Sequence, residues 1–239
     1  NILYDITPPS FTSIKPISGS ALNHQSISYS LSENLFKGEI LWIQTDGVED
    51  PDQPHNVVLS NDEMAFSLHD SIRLINMPPL QDGAIYSIFF TGSDRAGNIA
   101  DTISVEDISY DFTLPEIAID YPTSRIITNT TAISYTLSED FDEASFSWTW
   151  NSGAEDINAP YVVDLTEDEK KKGVYTQIQL ENIPEFVENA IYTISFNGRD
   201  RAKNEATQPI ISGVEYDFTP PVLTWHYPLN GTAVTNKNV

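Results

Sequence analysis

Four residues with oxygen-bearing side chains recur at a fixed interval. Asp5, Glu33, Asp94 and Asn98 return as Asp111, Glu139, Asp200 and Asn204, each 106 residues further on. Carboxylates and an amide carbonyl are the donors a hard cation takes, and calcium accepts about six to eight such oxygens. Carboxylates drawn together without a cation repel one another. The members of each set are far apart in the chain, so only a fold that returns separate segments to one end can assemble them. Two readings follow. In one, each set is a calcium site. In the other, Asp94 and Asp200 bond the backbone of their own turns, as Asx residues do. Arg95 and Arg201 then neutralise the neighbouring carboxylates, and Asp111 ends an extended linker.

Catalytic chemistry has less to draw on. The histidines are His24, His55, His69 and His226, and the first three face Thr130, Tyr161 and Tyr175 at the 106-residue offset. No nucleophile elbow, phosphate-cradling loop or metalloprotease helix occurs. The acid pairs Glu49-Asp50 and Glu155-Asp156 recur after Gly47 and Gly153. Adjacent residues on a strand or turn point apart, so these pairs are expected on a loop surface and not as a glycosidase dyad. No enzyme activity is expected. Trp150, Trp225 and Tyr227 are candidate stacking platforms for a surface carbohydrate or another surface protein. The competing reading packs the tryptophans at strand ends or at a junction. Trp150 aligns with Gln44, so such a platform belongs to one repeat only.

The interval itself shows how the chain is organised. Tyr4-Asp5-Ile6-Thr7-Pro8-Pro9 returns as Tyr110-Asp111-Phe112-Thr113-Leu114-Pro115 and again as Tyr216-Asp217-Phe218-Thr219-Pro220-Pro221. Ser28-Tyr29-Ser30-Leu31-Ser32-Glu33 maps onto Ser134-Tyr135-Thr136-Leu137-Ser138-Glu139, and Trp42 onto Trp148. Roughly a third of the aligned positions are identical, which marks an internal duplication. The expected organisation is two complete modules of about 106 residues, at 10–115 and 116–221, flanked by two stubs. Residues 1–9 match the tail of a preceding repeat and residues 222–239 the head of a following one, as in a window on a longer array. Held in place, such stubs pack on a neighbouring repeat of the same or an identical chain, and strand exchange into a filament is one way to do so.

Composition narrows the partners. The chain has no cysteine, which removes disulfides, zinc–thiolate sites and cysteine nucleophiles. Its formal net charge of −23 argues against nucleic acid, which needs clustered Lys and Arg. The one basic run, Lys170-Lys171-Lys172, faces Met64-Ala65-Phe66 and reads as a solvated surface. No segment approaches the roughly 20 apolar residues of a helical membrane span.

Short apolar runs rich in Ile, Tyr, Thr, Phe and Trp, separated by Gly, Pro, Asn and Asp, predict an all-β fold. In the second module seven strands are expected, near 116–121, 132–137, 144–150, 161–165, 175–182, 190–197 and 206–216. Seven short strands in about 100 residues suggest a sandwich. Tyr192, Ile194 and Phe196 alternate with Ile191, Thr193 and Ser195, so one face is core. Trp148 is placed to fill the sandwich centre, and Tyr86 and Tyr192 fit a tyrosine corner. Ser60-Asn61-Asp62-Glu63 and Thr166-Glu167-Asp168-Glu169 each read as a capping box opening one helical turn. In such a sandwich the loops after the second and sixth strands lie where the linker enters, which gathers each acidic set at a module junction.

The turn Asp94-Arg95-Ala96-Gly97-Asn98, followed by Tyr110-Asp111-Phe112-Thr113-Leu114-Pro115, resembles the bacterial immunoglobulin-like tandem repeats of large secreted and cell-surface proteins. The resemblance covers both modules and both stubs. It departs at Lys203, where the turn usually carries Gly. It implies tandem immunoglobulin-like β-sandwiches and an extracellular or cell-surface location. It also implies a non-catalytic role as spacer, stalk, filament or adhesin.

Overall fold

The computed structural model describes residues 4–224, together with His226 and Gly231. The first module contributes β1 (Phe11–Lys15), β2 (Ala21–Leu22), β3 (Ser26–Leu31), β4 (Lys37–Gly47), β5 (His55–Val58), β6 (Leu68–Arg73), β7 (Ala84–Ser93) and β8 (Ile103–Tyr110). The second contributes β9 (Ile117–Tyr121), β10 (Ile127–Thr128), β11 (Ile133–Leu137), β12 (Glu143–Gly153), β13 (Tyr161–Asp164), β14 (Gly173–Ile178), β15 (Ala190–Arg199) and β16 (Ile210–Tyr216). Each module pairs a three-stranded sheet with a five-stranded one. The orders are β1-β3-β6 with β2-β8-β7-β4-β5, and β9-β11-β14 with β10-β16-β15-β12-β13. The fold is all-β, as two tandem immunoglobulin-like sandwiches.

Alternation along the strands decides the layers. In β7, Tyr86, Ile88 and Phe90 are fully buried, as are Tyr192, Ile194 and Phe196 in β15. Period-2 side chains from both sheets then enclose one apolar core per module. Trp42 and Trp148 sit at the centres. The Trp148 indole N–H donates to Tyr216 Oη at 3.2 Å, whereas Trp42 Nε1 has no partner among the described residues. At the far ends of β4 and β12, Gly47 and Gly153 adopt φ of 81° and 78°. A Cβ there would lie 2.3 Å from Gly83 O or 2.2 Å from Asn189 O, so no side chain fits.

The structure has eight strands per module where seven were expected. The extra ones, β2 and β10, span two residues each and pair in parallel with β8 and β16. Pro16 and Pro122 follow β1 and β9 directly. Lacking an N–H, proline ends the first ladder, and the chain crosses to the other sheet. A two-residue strand leaves no alternation to read. The last strand starts at Ile210 and not at Ala206 because Pro209 precedes it, and Glu205 makes only an isolated bridge to Arg199. The capping boxes form as single turns. Ser60 N donates to Glu63 Oε2 at 2.7 Å, and Thr166 N to Glu169 Oε2 at 2.9 Å. The other carboxylate oxygen of each Glu accepts the N–H of Ile75 or Glu181, pinning a second loop.

The acid pairs require a correction. Glu49 and Glu155 are exposed, but Asp50 and Asp156 are 5% and 4% exposed. Each completes the tyrosine corner. Tyr86 Oη donates to Asp50 Oδ2 at 2.6 Å and accepts from Gln81 N at 2.9 Å. Tyr192 Oη donates to Asp156 Oδ2 at 2.5 Å and accepts from Val187 N at 3.2 Å. Burial opposes ionisation of Asp156, but hydrogen bonds from Tyr192, Asn158 and Tyr161 outweigh it and hold its pKa below the usual carboxylate range. Tyr192→Phe removes a donor from a buried carboxylate and strands the Val187 N–H. It is expected to cost about 1–3 kcal/mol in urea unfolding, and an unchanged midpoint would show that the corner is not stabilising.

Candidate metal centre

Each acidic set converges where a linker enters a module. Asp111 follows β8, Glu139 follows β11, and Asp200 follows β15. One carboxylate oxygen from each lies within 4.8 Å of the others, and Asp5, Glu33 and Asp94 form the same group in module one. The fourth member of each set ties two of these segments together. Asn204 Nδ2 donates to Asp200 Oδ2 at 2.7 Å and to the Asp111 carbonyl at 2.9 Å. Asn98 Nδ2 does the same to Asp94 Oδ2 at 2.7 Å and to Asp5 O at 3.2 Å. Both neighbours are acceptors, so the amide presents its nitrogen to them. The asparagines brace the junction through their side-chain nitrogens.

The turns that carry the buried aspartates are closed by those same side chains. Asp94 Oδ1 accepts Gly97 N at 2.7 Å and Asn98 N at 2.9 Å, and Asp200 Oδ1 accepts Asn204 N at 2.9 Å. The Asx reading therefore holds, and it leaves the three-carboxylate group intact. Lys203 takes the position of Gly97 at φ 73°, against 95° for the glycine. Its ammonium pairs with Asp142. The backbone strain of a lysine in the left-handed region is thus accompanied by an ion pair. The five ion pairs among the described residues include neither Arg95 nor Arg201. Arg201 Nη2 instead donates to Gly19 O of the preceding module at 2.6 Å.

One participant was missed. Asp82, just before β7, accepts Phe112 N at 2.8 Å and Thr113 Oγ1 at 2.6 Å. Glu188 holds Phe218 N and Thr219 N in the same way, at 2.9 and 3.1 Å. The linker after module one is thereby bonded on one side to its own module and on the other to module two. An acidic residue two places before Ala84 and Ala190 in both repeats was the available signal.

Crowding perturbs the protonation of these groups. Glu139 is pushed up to about 7, first by burial and then by the charges of Asp111 and Asp200. Burial and the charges of Asp5 and Asp94 raise Glu33. Burial, then Asp200 and Asp82, raise Asp111 against the pull of the Thr113 N–H. Burial alone would also raise Asp94, but the hydrogen bonds from Asn98 and Gly97 hold it below its ordinary value. The proposed platforms are elsewhere. Trp150 is half-buried against the second core, and its indole N–H donates to Ala154 O at 2.9 Å. Trp225 and Tyr227 lie outside the described residues.

No family model and no curated protein matches the chain. Among solved structures it is similar to the fibronectin(III)-like modules of Clostridium thermocellum CbhA, at 14% identity and a TM-score of 0.36, covering 90% of this chain and 100% of that one. It is also similar to the FN1–FN3 domains of chicken CNTN1, at 13% identity and TM-score 0.34, covering 87% and 66%. A third is the Streptomyces avermitilis alpha-L-rhamnosidase complexed with L-rhamnose, at 10% identity and TM-score 0.30, covering 84% and 24%. At these values the fold rests on the strand order itself.

A carboxyl whose pKa is raised by folding binds its proton more tightly in the folded state. Its contribution therefore favours folding at low pH and is lost as pH climbs from 4.5 to about 7 for Glu139. In chelator, Glu139→Gln is expected to melt higher than the parent at pH 8, with the difference shrinking toward pH 4.5. A difference in melting temperature independent of pH would remove repulsion as the cause.

Proposed function

We propose that the chain is a non-catalytic structural spacer of a long repeat protein outside the cell or on its surface, of the stalk, filament or adhesin kind, and that calcium stiffens its junctions. The observation that supports this most is the duplicated group of three carboxylates astride each linker. Asp111 belongs to the linker, while Glu139 and Asp200 belong to the module that follows. A cation held by all three ties the linker to that module, and Asp82 ties it to the one before. The donor set suits a hard cation: every side-chain ligand is a carboxylate oxygen, and no histidine or cysteine contributes. Water completes the shell. Calcium outside cells is abundant enough to fill weak sites, with dissociation constants of roughly 10⁻⁴–10⁻³ M.

Neutralisation changes the balance of forces at the hinge. Without a cation, the burial of Glu139 and Asp111 and the repulsion among their neighbours, which together raise both carboxyls, favour opening of the junction. With one, the same charges become attraction. Small-angle scattering and thermal melting with millimolar calcium and with chelator read both consequences. Calcium is expected to narrow the range of interdomain angles, and at the roughly one- to tenfold excess over Kd that millimolar calcium supplies, to add about 0.4–1.4 kcal/mol of stability per site. Glu139→Gln combined with Asp111→Asn should abolish the change in interdomain angle and reduce the melting response to what the Asp5, Glu33 and Asp94 group supplies. If scattering and melting ignore calcium in the parent chain, the junctions are not metal sites and the stiffening mechanism fails.

A further inference from the structure

The two modules share a backbone but not an outer surface. On the solvent face of the five-stranded sheet, module one carries Leu41 and Ile43 on β4, Val58 on β5 and Phe89 on β7. Leu41 pairs with Phe89 across β4 and β7, and Glu39 with Val58 across β4 and β5. Phe36 and Ile99 extend the patch at one end, and Phe36, Val58 and Ile99 are 60%, 60% and 70% exposed. The equivalents in module two are Ser147, Thr149, Asp164 and Ser195, with Asp142 and Glu205 at the end. There the hydroxyls of Ser147 and Ser195 bond each other at 2.8 Å, Arg199 pairs with Glu143, and Lys203 with Asp142. Even the groove at the end of the sheet is matched, at about 450 Å³ in module one and about 490 Å³ in module two. The first is lined by Phe36, Val58, Met64 and Ile99; the second by Asp142, Asp164, Lys170 and Glu205.

Module two closes the same sandwich with Ser147, Thr149, Asp164 and Ser195 at these positions, the exposed apolar side chains on its face being Val162 and Ile210, across from Ser147 and Ser195. Folding therefore does not explain the patch in module one, and contiguous exposed apolar surface marks a docking site. We propose that this face of module one pairs with the same face of a second copy of the chain. Charge selects that occupant. The chain has a net charge of −23, so two copies repel over most of their surface. On β4 the patch carries one Lys37 and one Glu39, two residues apart, whose charges cancel, and Glu106 stands at its β8 edge, two residues from the Ser104 that pairs with Phe89. In a two-fold pairing residue i meets j while j meets i, so Lys37 of each copy can meet Glu39 of the other. Lys37 has no ion-pair partner among the described residues, so it is free to do so. Three strands spaced about 4.8 Å apart and about eight residues rising about 3.3 Å each give the patch roughly 400 Å² per copy. A standard interface takes about 800 Å² per partner, which puts this pair in the weak class.

Sedimentation of the full chain in chelator, from about 10 μM to about 1 mM, tests the pairing apart from any junction metal. The parent is expected to pass from monomer to dimer across that range. Replacing the patch by module two's own residues, Phe36→Asp, Leu41→Ser, Val58→Asp, Phe89→Ser and Ile99→Glu, should leave it monomeric with the same β circular dichroism. Should that variant fold poorly, Val58→Asp alone alters a side chain already in solvent and should weaken pairing by about tenfold. Lys37→Glu should weaken it too, and adding Glu39→Lys should restore it. A parent that stays monomeric at about 1 mM, or a dimer indifferent to these substitutions, overturns the proposal.

Discussion

The junction hangs on one relay of hydrogen bonds. Asp200, almost wholly buried, closes its own turn and takes the Asn204 amide. Asn204 in turn holds the Asp111 carbonyl of the incoming linker. Asp94, Asn98 and Asp5 repeat the relay one module earlier. A turn closed by a charged acceptor is stronger than one closed by neutral groups. It also fixes where the second oxygen of the aspartate points. The carboxylates of the linker and of the loop after β11 then come to a place already set, and the cluster follows from the brace.

Strand class, module period, buried tryptophans and the clustering of the acidic sets were legible because each leaves a repeated or periodic mark in the sequence. β2 and β10 were not, since pairing of two residues depends on where Pro16 and Pro122 turn the chain. Asp50 and Asp156 looked like surface acids because their burial depends on hydroxyls 36 residues away. Asn98 and Asn204 supply an oxygen and a nitrogen equally well on paper. Only the placement of two acceptors beside them chose the nitrogen.

Duplication separates what the fold requires from what it allows. Positions facing the core keep their character between modules: Ile40 and Phe146, Trp42 and Trp148, Tyr86 and Tyr192, Phe90 and Phe196. The Lys203 substitution shows that even a left-handed turn position tolerates a lysine when the brace around it is intact. The outer face of the large sheet obeys no such rule. At the positions of Leu41, Ile43, Val58 and Phe89 it changes from apolar to hydroxylic or acidic while the register of β4 with β7 and of β12 with β15 stays the same.

The acidity of the chain has different consequences at different places. β12 is 11 residues long, or roughly 35 Å at about 3.3 Å per residue, and it runs along the module between one junction and the next. At physiological ionic strength the Debye length is about 8 Å. Charges at successive junctions are therefore screened from one another, and each carboxylate group responds to its own neighbours alone. Within a group, at oxygen separations below 5 Å, screening is weak and repulsion is felt in full. Local charge density thus acts on the hinge angle. Net charge acts through the many exposed acids on the surface and keeps copies apart over most of it. In the proposed function and pairing, the stiffness of the joints and the tendency to associate are therefore set by different residues.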